Sequence, residues 1–327
     1  MAQHQQQESI GATLRANNLT PLWEIFRDVV PPQPIPACEP VVWHYDTVRP
    51  LLLQMGQEIS AEEAERRVLI LSNPGVEGFS ATRTLFAGLQ LLLPGEVASC
   101  HRHSQAALRF VVEGEGAYTS VDGERIDMHR GDLILTPSFT WHDHAKSGEG
   151  PMIWLDGLDV PIVNYFGSTF MESYPESEPR LTPSDETTKG MNTPGLRYPY
   201  EKTHAALEAM VAAQSCDPHL GVKMQYINPQ TGGHVLPTMA CFLQHLPAAF
   251  VGQNMRSTDA SINFVVAGTG RVWIGETCLE WGPDDVFVLP NWSWYRFEVD
   301  SQAEIFSYSD RAAQENLGLY REEKSAV

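Results

Sequence analysis

Residues 109–144 read RFVVEGEGAYTSVDGERIDMHRGDLILTPSFTWHDH, and residues 263–297 read NFVVAGTGRVWIGETCLEWGPDDVFVLPNWSWYRF. Each stretch contains an apolar run with FVV, a Gly-x-Gly turn, a short hairpin, turn residues of the Gly-Asp type, a second apolar run, a proline and an aromatic pair. Short β-rich runs separated by such turns are typical of antiparallel barrels and sandwiches. The sequence therefore predicts a mainly β chain.

The two stretches also align with each other. Asp132 aligns with Asp285, Pro137 with Pro290, and His142 aligns with Tyr295, with one constant offset from the first aspartate to this last pair. Any two hairpins resemble each other to some extent, but a constant offset over this length argues against chance. An internal duplication predicts two barrels of the same build.

Four segments follow from this pattern. Residues 1–80 are predicted to be mainly helical, with a capping box at Ser60 and Glu63 that marks a helix start. The first barrel is expected over residues 81–170. Residues 171–237 are predicted to form a polar linker with one helix, YEKTHAALEAMVAA. The second barrel is expected over residues 238–327.

Composition limits the classes of function. The formal net charge of −19 argues against a nucleic-acid or acidic-membrane partner, since phosphate binding needs a basic surface. An anionic substrate would therefore need local arginines. The five cysteines are scattered and have no CxxC spacing, and no run of eighteen apolar residues occurs. The sequence predicts a soluble, cytoplasmic protein.

The stretch CHRHSQAALRF, residues 100–110, carries the candidate chemistry. On a strand, His101 and His103 would point to the same face, about 7 Å apart along the chain. Such a pair alone is more often a surface feature than a metal site. The segment TPSFTWHDH supplies a third ligand from the returning strand, and spacing alone permits either His142 or His144. Four of the eleven histidines in two short segments indicate a metal site.

Arg109 lies six residues after His103 and would share the ligand face of a continuous strand. A guanidinium there can bind a carboxylate through two hydrogen bonds. The alternative is a salt bridge at the end of a barrel. Because an arginine in the middle of a buried strand is costly unless it is paired, the functional interpretation is favoured.

These motifs resemble those of the cupin family. Gly95, His101-x-His103 and Gly114 resemble the first cupin motif, and Gly131, Pro137 and His142 resemble the second. The usual glutamate position holds Ala107. Three histidines, no glutamate and a second barrel without ligands resemble the gentisate 1,2-dioxygenase family, as do WLDGLD, STDASINFVV, SNPG and LRYPYEKTHAAL. Salicylate and 1-hydroxy-2-naphthoate dioxygenases share this framework.

The resemblance implies a role for each matching residue. His101, His103 and His142 would bind Fe(II), one ion per chain. Further residues would contact the substrate or oxygen or complete the site, and these are His144, Arg109, Gln90, Asp156, Phe86, Gly88 and one of Arg66 and Arg67. Asp156 could equally belong to a turn, His144 could serve only to support the ligands, and the other of the two arginines is expected to be solvated. Phe86 stands where salicylate-cleaving relatives have tryptophan.

Three neutral ligands would leave the ion its full charge and open positions for a carboxylate, an adjacent hydroxyl and O2. The implied reaction is cleavage of gentisate between the carbons that carry these two groups, giving maleylpyruvate. A salicylate or 1-hydroxy-2-naphthoate dioxygenase is the alternative, and a non-catalytic cupin that binds an aromatic acid is the alternative of another class. No metal site is expected in the second barrel, which has NMRS in place of HRH and Tyr295 in place of His142. It is expected to help build a homodimer or homotetramer.

Overall fold

The structure is a computed structural model that describes residues 10–175 and 195–325. The chain divides into a short unit, Met1–Ile35, and a main unit, Pro36–Val327. In the short unit, residues 10–16 are helical and helix α1 follows at Leu22–Val29. Within the predicted polar linker, residues 176–194 lie outside the described residues.

The first barrel has eight strands, and every strand pairing in it is antiparallel. They are β3 Phe86–Leu92, β4 Val97–His103, β5 Ala107–Glu113, β6 Ala117–Val121, β7 Glu124–Met128, β8 Leu133–Thr136, β9 His142–Lys146 and β10 Met152–Leu158. The segment before it contains β1 Val42–Trp43, α2 Tyr45–Glu58, α3 Ala61–Ala64 and β2 Val68–Ile70. The Ser60 side chain accepts a hydrogen bond from the Glu63 amide, as the capping box predicts. Helix α4 Val160–Tyr165 and strand β11 Met171–Ser173 follow the barrel.

The second barrel repeats this order. Its strands are β14 Ala240–Leu246, β15 Met255–Ser257, β16 Ser261–Ala267, β17 Gly270–Ile274, β18 Thr277–Trp281, β19 Val286–Leu289, β20 Tyr295–Val299 and β21 Ala303–Ser309. Before it come β12 Arg197–Tyr198, α5 Tyr200–Ala213 and β13 Val222–Gln225, and after it come α6 Arg311–Asn316 and β22 Glu322–Lys324. The predicted mainly β fold with two antiparallel barrels is confirmed, whereas the four segment boundaries stay a prediction.

The duplication extends beyond the barrels. Strand β11 pairs with β4 so that Glu172 faces Arg102, and β22 pairs with β15 so that Glu323 faces Arg256. Each pair forms an ion pair with an N–O distance of 2.6 Å. The guanidinium of Arg102 lies 4.6 Å from the ring centre of Trp141, and that of Arg256 lies 4.7 Å from Trp294. The same ion pair and arginine–tryptophan contact therefore join the last strand to the barrel in both halves.

The two halves exchange their leading strands. Strand β1 of the first half pairs with β19 of the second, and β12 of the second half pairs with β8 of the first. The register is equivalent, because Trp43 faces Val286 and Tyr198 faces Leu133. The sheets thus run β1-β19-β16-β21-β14-β13 and β12-β8-β5-β10-β3-β2.

Each helix that follows an exchanged strand begins on the other barrel. The Tyr45 amide, at the start of α2, donates to the Asp285 carboxylate at 2.8 Å. The Tyr200 amide, at the start of α5, donates to Asp132 at 2.9 Å. Free amides at a helix start need such acceptors. The two aspartates that align in the sequence, Asp132 and Asp285, therefore accept the equivalent hydrogen bond at a helix start in the two halves.

The cores explain which way the strands face. Alternate residues of β5 point to opposite sides of the sheet. Phe110 belongs to the large core shared by the two barrels, where its ring stacks on Phe306 with centroids 4.1 Å apart. Val111 belongs to the separate core inside the first barrel. Arg109 shares the face of Val111 and so points into the first barrel.

Candidate metal centre

Three histidines meet inside the first barrel. His101 and His103 lie on β4, and His142 on β9 faces His101 directly. Their ligand nitrogens lie within 4.8 Å of one another. The Nδ1 atoms of His103 and His142 lie 2.9 and 3.0 Å from the backbone carbonyls of Gln105 and Thr140. Carbonyl partners on Nδ1 leave Nε2 as the ligand atom and fix each ring.

The electrostatics of this cluster favour neutral imidazoles. Burial, together with the charge of Arg66, lowers the pKa of His101 to about 3. Burial also lowers the pKa of His103 to about 4 and holds the pKa of His142 well below its usual value. A metal ion needs deprotonated ligands. The three residues therefore fit a divalent metal ion that prefers nitrogen ligands.

The geometry separates His142 from His144, which spacing alone does not. His144 is buried and its ring centre lies 6.0 Å from that of His142 and 5.2 Å from that of Trp154. It is not part of the three-histidine cluster. Within the described residues its Nδ1 has no hydrogen-bond partner, and burial holds its pKa well below the usual value. His144 is therefore a neutral histidine placed beside the cluster.

Arg109 and Asp156 face each other across β5 and β10. Both are buried, and the Arg109 Nε lies 3.6 Å from the Asp156 Oδ1. The Arg109 Nη1 donates to the hydroxyl of Thr136, whereas its Nε has no hydrogen-bond partner among the described residues. The Trp154 Nε1 donates to Asp156 at 2.9 Å. Burial raises the pKa of Asp156 to about 6 and lowers that of Arg109.

This arrangement leaves Arg109 ready for an anion. A guanidinium has five N–H donors, and a buried donor without an acceptor is costly. Thr136 is the hydrogen-bond acceptor that the structure gives this side chain, and the Asp156 contact is longer than a normal hydrogen bond. The free donors suit a carboxylate, which binds a guanidinium through two oxygens.

Strand β3 lies next to β10 in the same sheet as Arg109 and Asp156. Gln90 is buried opposite Trp154, and its Nε2 has no partner in the described part of the chain. Gly88 lies opposite Asp156, and a Cβ there would come within 2.5 Å of the Val68 side chain. A larger residue at this position would therefore need the Val68 side chain to shift. Phe86, half-buried at the end of the strand, also borders a surface cleft of about 720 Å³.

The structure distinguishes the two neighbouring arginines. The Arg66 guanidinium contacts the ring nitrogen Nδ1 of His101 and lies close to the cluster. Arg67 instead pairs with Glu96, with N–O distances of 2.7 and 2.8 Å, and is 5% exposed. The expectation that one of them is solvated is wrong, because Arg67 is buried in this ion pair. Only Arg66 is placed beside the histidines.

Sequence reasoning missed Thr136 and Trp154. Thr136 ends β8 in LILTP, and its hydroxyl is the acceptor for Arg109. Trp154 stands two residues before Asp156, so the strand alternation places both on one face. This period of two was the signal that could have identified the tryptophan.

The second barrel has other residues at the ligand positions. Met255 faces Tyr295 in the register in which His101 faces His142. Within residues 10–175 and 195–325, the histidine cluster of the first barrel is the one group of three metal-ligating side chains. No helix in that part of the chain is both long and apolar enough to cross a bilayer.

Comparisons with known proteins agree with this geometry. The cupin domain family matches residues 88–159. The chain is 47% identical to gentisate 1,2 dioxygenase 1 of Aquipseudomonas alcaligenes over 95% of this chain and 94% of that protein. It is 35% identical to 5-aminosalicylate 1,2-dioxygenase of Comamonas sp over 95% and 88%. The structure of salicylate 1,2-dioxygenase from Pseudoaminobacter salicylatoxidans with gentisate matches with a TM-score of 0.89 and 30% identity, over 98% and 94% of the two chains.

Proposed function

The chain belongs to the gentisate 1,2-dioxygenase family of ring-cleaving dioxygenases, and we propose that it opens the ring of gentisate between the carbons that carry the carboxylate and the adjacent hydroxyl. The product would be maleylpyruvate. The observation that carries this proposal is one site that combines three neutral histidines with a guanidinium for which Thr136 is the one hydrogen-bond acceptor among the described residues. The 47% identity to a gentisate 1,2-dioxygenase supports this substrate.

We propose that the histidine cluster holds one Fe(II) ion. One nitrogen of each of His101, His103 and His142 is within reach of a single ion, and their lowered pKa values favour the neutral imidazoles that bind a metal. Bound Fe(II) supplies chelation of the substrate oxygens and a path for electron density from the ring to O2, which redox-inactive zinc cannot provide. In the part of the chain that the structure describes, no carboxylate joins the three imidazoles in this cluster. A neutral ligand set favours a dianionic chelating substrate.

Arg109 binds and orients the substrate carboxylate in this proposal. Thr136 and Asp156 hold the guanidinium from two sides, so its free N–H groups point in a fixed direction. A fixed carboxylate in turn fixes which ring carbons face oxygen. The buried position strengthens the charge interaction because little water competes with it.

His144 and Gln90 would contact the remaining polar groups of the substrate or oxygen. Each has a buried nitrogen without a partner within the described residues, Nδ1 in His144 and Nε2 in Gln90. Such atoms are costly when they stay unpaired, so a bound molecule that pairs with them is favoured. A neutral His144 can accept a hydrogen bond from a substrate hydroxyl and hold its proton.

Oxygen consumption tests the function directly. The full-length protein is loaded with Fe(II) without oxygen and then assayed with gentisate, salicylate, 5-aminosalicylate and 1-hydroxy-2-naphthoate. We expect gentisate to give the highest kcat/KM and a ring-opened product. Uptake that is higher with a salicylate would assign the chain to that branch of the family. Binding of gentisate by iron-loaded protein without oxygen uptake would contradict an enzymatic role.

We also propose that the chain forms a homodimer or homotetramer in the cytoplasm. All five cysteines are free thiols, which supports a reducing compartment. Light scattering coupled to size-exclusion chromatography of the iron-loaded protein measures the mass of the assembly. A monomer at micromolar concentration would contradict the oligomer.

A further inference from the structure

Tyr308, on β21 of the second barrel, contacts the sheet that carries Arg109 and Asp156. Its side chain is fully buried in the core that the two barrels share. Its hydroxyl donates a hydrogen bond of 2.8 Å to the backbone carbonyl of Phe86, at the start of β3. Burial and the nearby Asp156 carboxylate raise the pKa of Tyr308 well above its usual value, so the hydroxyl keeps the proton that it donates. The second barrel thus holds the backbone of the first barrel at this point.

The contact is possible because Gly157 has no side chain. A Cβ at Gly157 would lie 2.7 Å from the Cζ of the Tyr308 ring, which is too close for two packed carbon atoms. Gly157 pairs with Leu108 and Tyr308 pairs with Ile262, and these partners stand directly before the two aligned stretches that begin at residues 109 and 263. Gly157 and Tyr308 are therefore equivalent positions of the duplication that touch each other. One half supplies the large ring, and the other half supplies the space for it.

Phe86 lies on the face of this sheet that carries the proposed substrate contacts. Along β3, strand alternation places Phe86, Gly88 and Gln90 on one face, which is also the face of Asp156 on the paired strand β10. The Phe86 ring lies along this face, because its Cε1 would be 3.3 Å from a Cβ at Gly88. The carbonyl that Tyr308 holds therefore belongs to a residue whose side chain lies on the substrate face.

The position of Phe86 also relates the site to the surface. Phe86 and Ile70 line the surface cleft of about 720 Å³, and Ile70 pairs with Gly88 and so shares its face. Arg109 and Gln90, in contrast, are buried. The row from Gln90 through Gly88 to Phe86 thus runs from the buried interior toward the cleft. A ring whose carboxylate binds Arg109 would extend its far end in this direction.

We propose that Tyr308 is a positioning residue, which holds Phe86 at a fixed distance from the substrate ring and so limits the size of the ring that the site accepts. This inference rests on the proposed function, since it takes Arg109 as the partner of the substrate carboxylate. Without the hydrogen bond, the start of β3 loses an anchor and the Phe86 ring can retreat toward the open cleft. Larger aromatic acids then bind less unfavourably. Tyr308 lies in the shared core, on the other face of the sheet, and does not touch the substrate itself.

Salicylate and 1-hydroxy-2-naphthoate are a matched pair of ligands for the test, because both carry a carboxylate beside a hydroxyl and the second has one more ring. Their dissociation constants are measured by titration calorimetry without oxygen on the full-length, Fe(II)-loaded protein, so that turnover does not enter. We expect the wild type to bind salicylate more tightly. In Tyr308→Phe, the ratio of the two constants should move toward equality by roughly threefold to tenfold, the factor that corresponds to one ordinary hydrogen bond.

Tyr226→Phe is the matched control. It removes another buried tyrosine hydroxyl from the shared core, one that has no hydrogen-bond partner among the described residues. Its ratio should equal that of the wild type. Gly157→Ala disturbs the same contact from the first barrel, because its Cβ would push the Tyr308 ring away from Phe86, and it should move the ratio in the same direction as Tyr308→Phe. Gly157→Ala also serves as the second variant if Tyr308→Phe does not fold, as judged by circular dichroism.

The possible outcomes separate this inference from the proposed function. An unchanged ratio in a folded Tyr308→Phe protein of lower thermal stability would show a purely structural hydrogen bond and would overturn the proposal. Equal affinities in the wild type, or tighter binding of the naphthoate, would show that Phe86 does not limit ring size and would overturn it as well. If the iron-loaded wild type bound neither acid, the proposed function itself would be refuted, whereas binding of both acids with an unchanged ratio leaves that function intact.

Discussion

Thr136→Val is the sharpest test of how the site orients its substrate. The change keeps the size and the branched shape of the side chain but removes the hydroxyl that accepts from the Arg109 Nη1. Thr136 has no exposed surface and Arg109 is 4% exposed, so solvent cannot replace the lost partner easily. An unpaired buried donor costs roughly 1–3 kcal/mol. We therefore expect the free energy of unfolding to fall by about that amount.

The same loss should appear in catalysis as weaker substrate binding. The guanidinium keeps its 3.6 Å contact with Asp156 but loses the partner on its other side. If about 1.4 kcal/mol of orienting free energy is lost, KM rises about tenfold. We expect kcat to change much less, because the histidine cluster is untouched and the iron content stays at the wild-type level.

The assay is steady-state oxygen uptake with gentisate, together with iron analysis and urea denaturation. Thr136→Ser is the matched control, since it keeps the hydroxyl and should behave nearly as wild type. Arg109→Met gives the upper limit of the effect. Wild-type KM in a folded Thr136→Val protein, alongside a large increase in Arg109→Met, would show that the hydroxyl does not orient the guanidinium.

Three other outcomes are expected. His101→Ala should abolish both the bound iron, measured by elemental analysis, and the oxygen uptake; activity without His101 would refute the ligand assignment. Asp285→Ala should lower the free energy of unfolding by about 1–2 kcal/mol in urea, because the Tyr45 amide loses its acceptor; an unchanged transition would refute this role. Burial raises the folded-state pKa of Asp310 to about 6, above its usual value near 4. Because the native state binds this proton more tightly than the unfolded state, the free energy of unfolding of the wild-type protein falls as the pH rises through this range. The stability of Asp310→Asn relative to wild type should therefore rise between about pH 4 and pH 6, and a difference that is flat with pH would contradict this.

Much of the fold could be predicted because its signal is local. Strand alternation, turn residues and the constant offset between Asp132 and Asp285 are all visible in the sequence, and they predict two similar antiparallel barrels. The strand exchange could not be predicted in the same way. Strands β1 and β12 have two residues each, too few for a periodic pattern, and their partners are far away in the chain.

The candidate site could likewise be predicted only in part. His101 and His103 share a strand face, so their proximity follows from the period of two. The choice between His142 and His144 needs the pairing register of β4 with β9, which no spacing contains. The two adjacent arginines have equal claims in the sequence. Only the ion pair with Glu96 shows that Arg67 is not available to the metal centre.

The exchanged strands have a consequence for how the two halves can change over time. A chain in which each half lends its leading strand and helix to the other resembles an arm-exchanged dimer joined into a single polypeptide. A substitution in the leading segment of one half therefore affects the stability of the barrel in the other half. The second barrel, which carries no cluster of metal-ligating side chains within the described residues, completes the sheet that contains Arg109 and Asp156 through β12. Neither half can therefore accumulate substitutions independently of the other, and neither can be deleted without removing a strand from the other half.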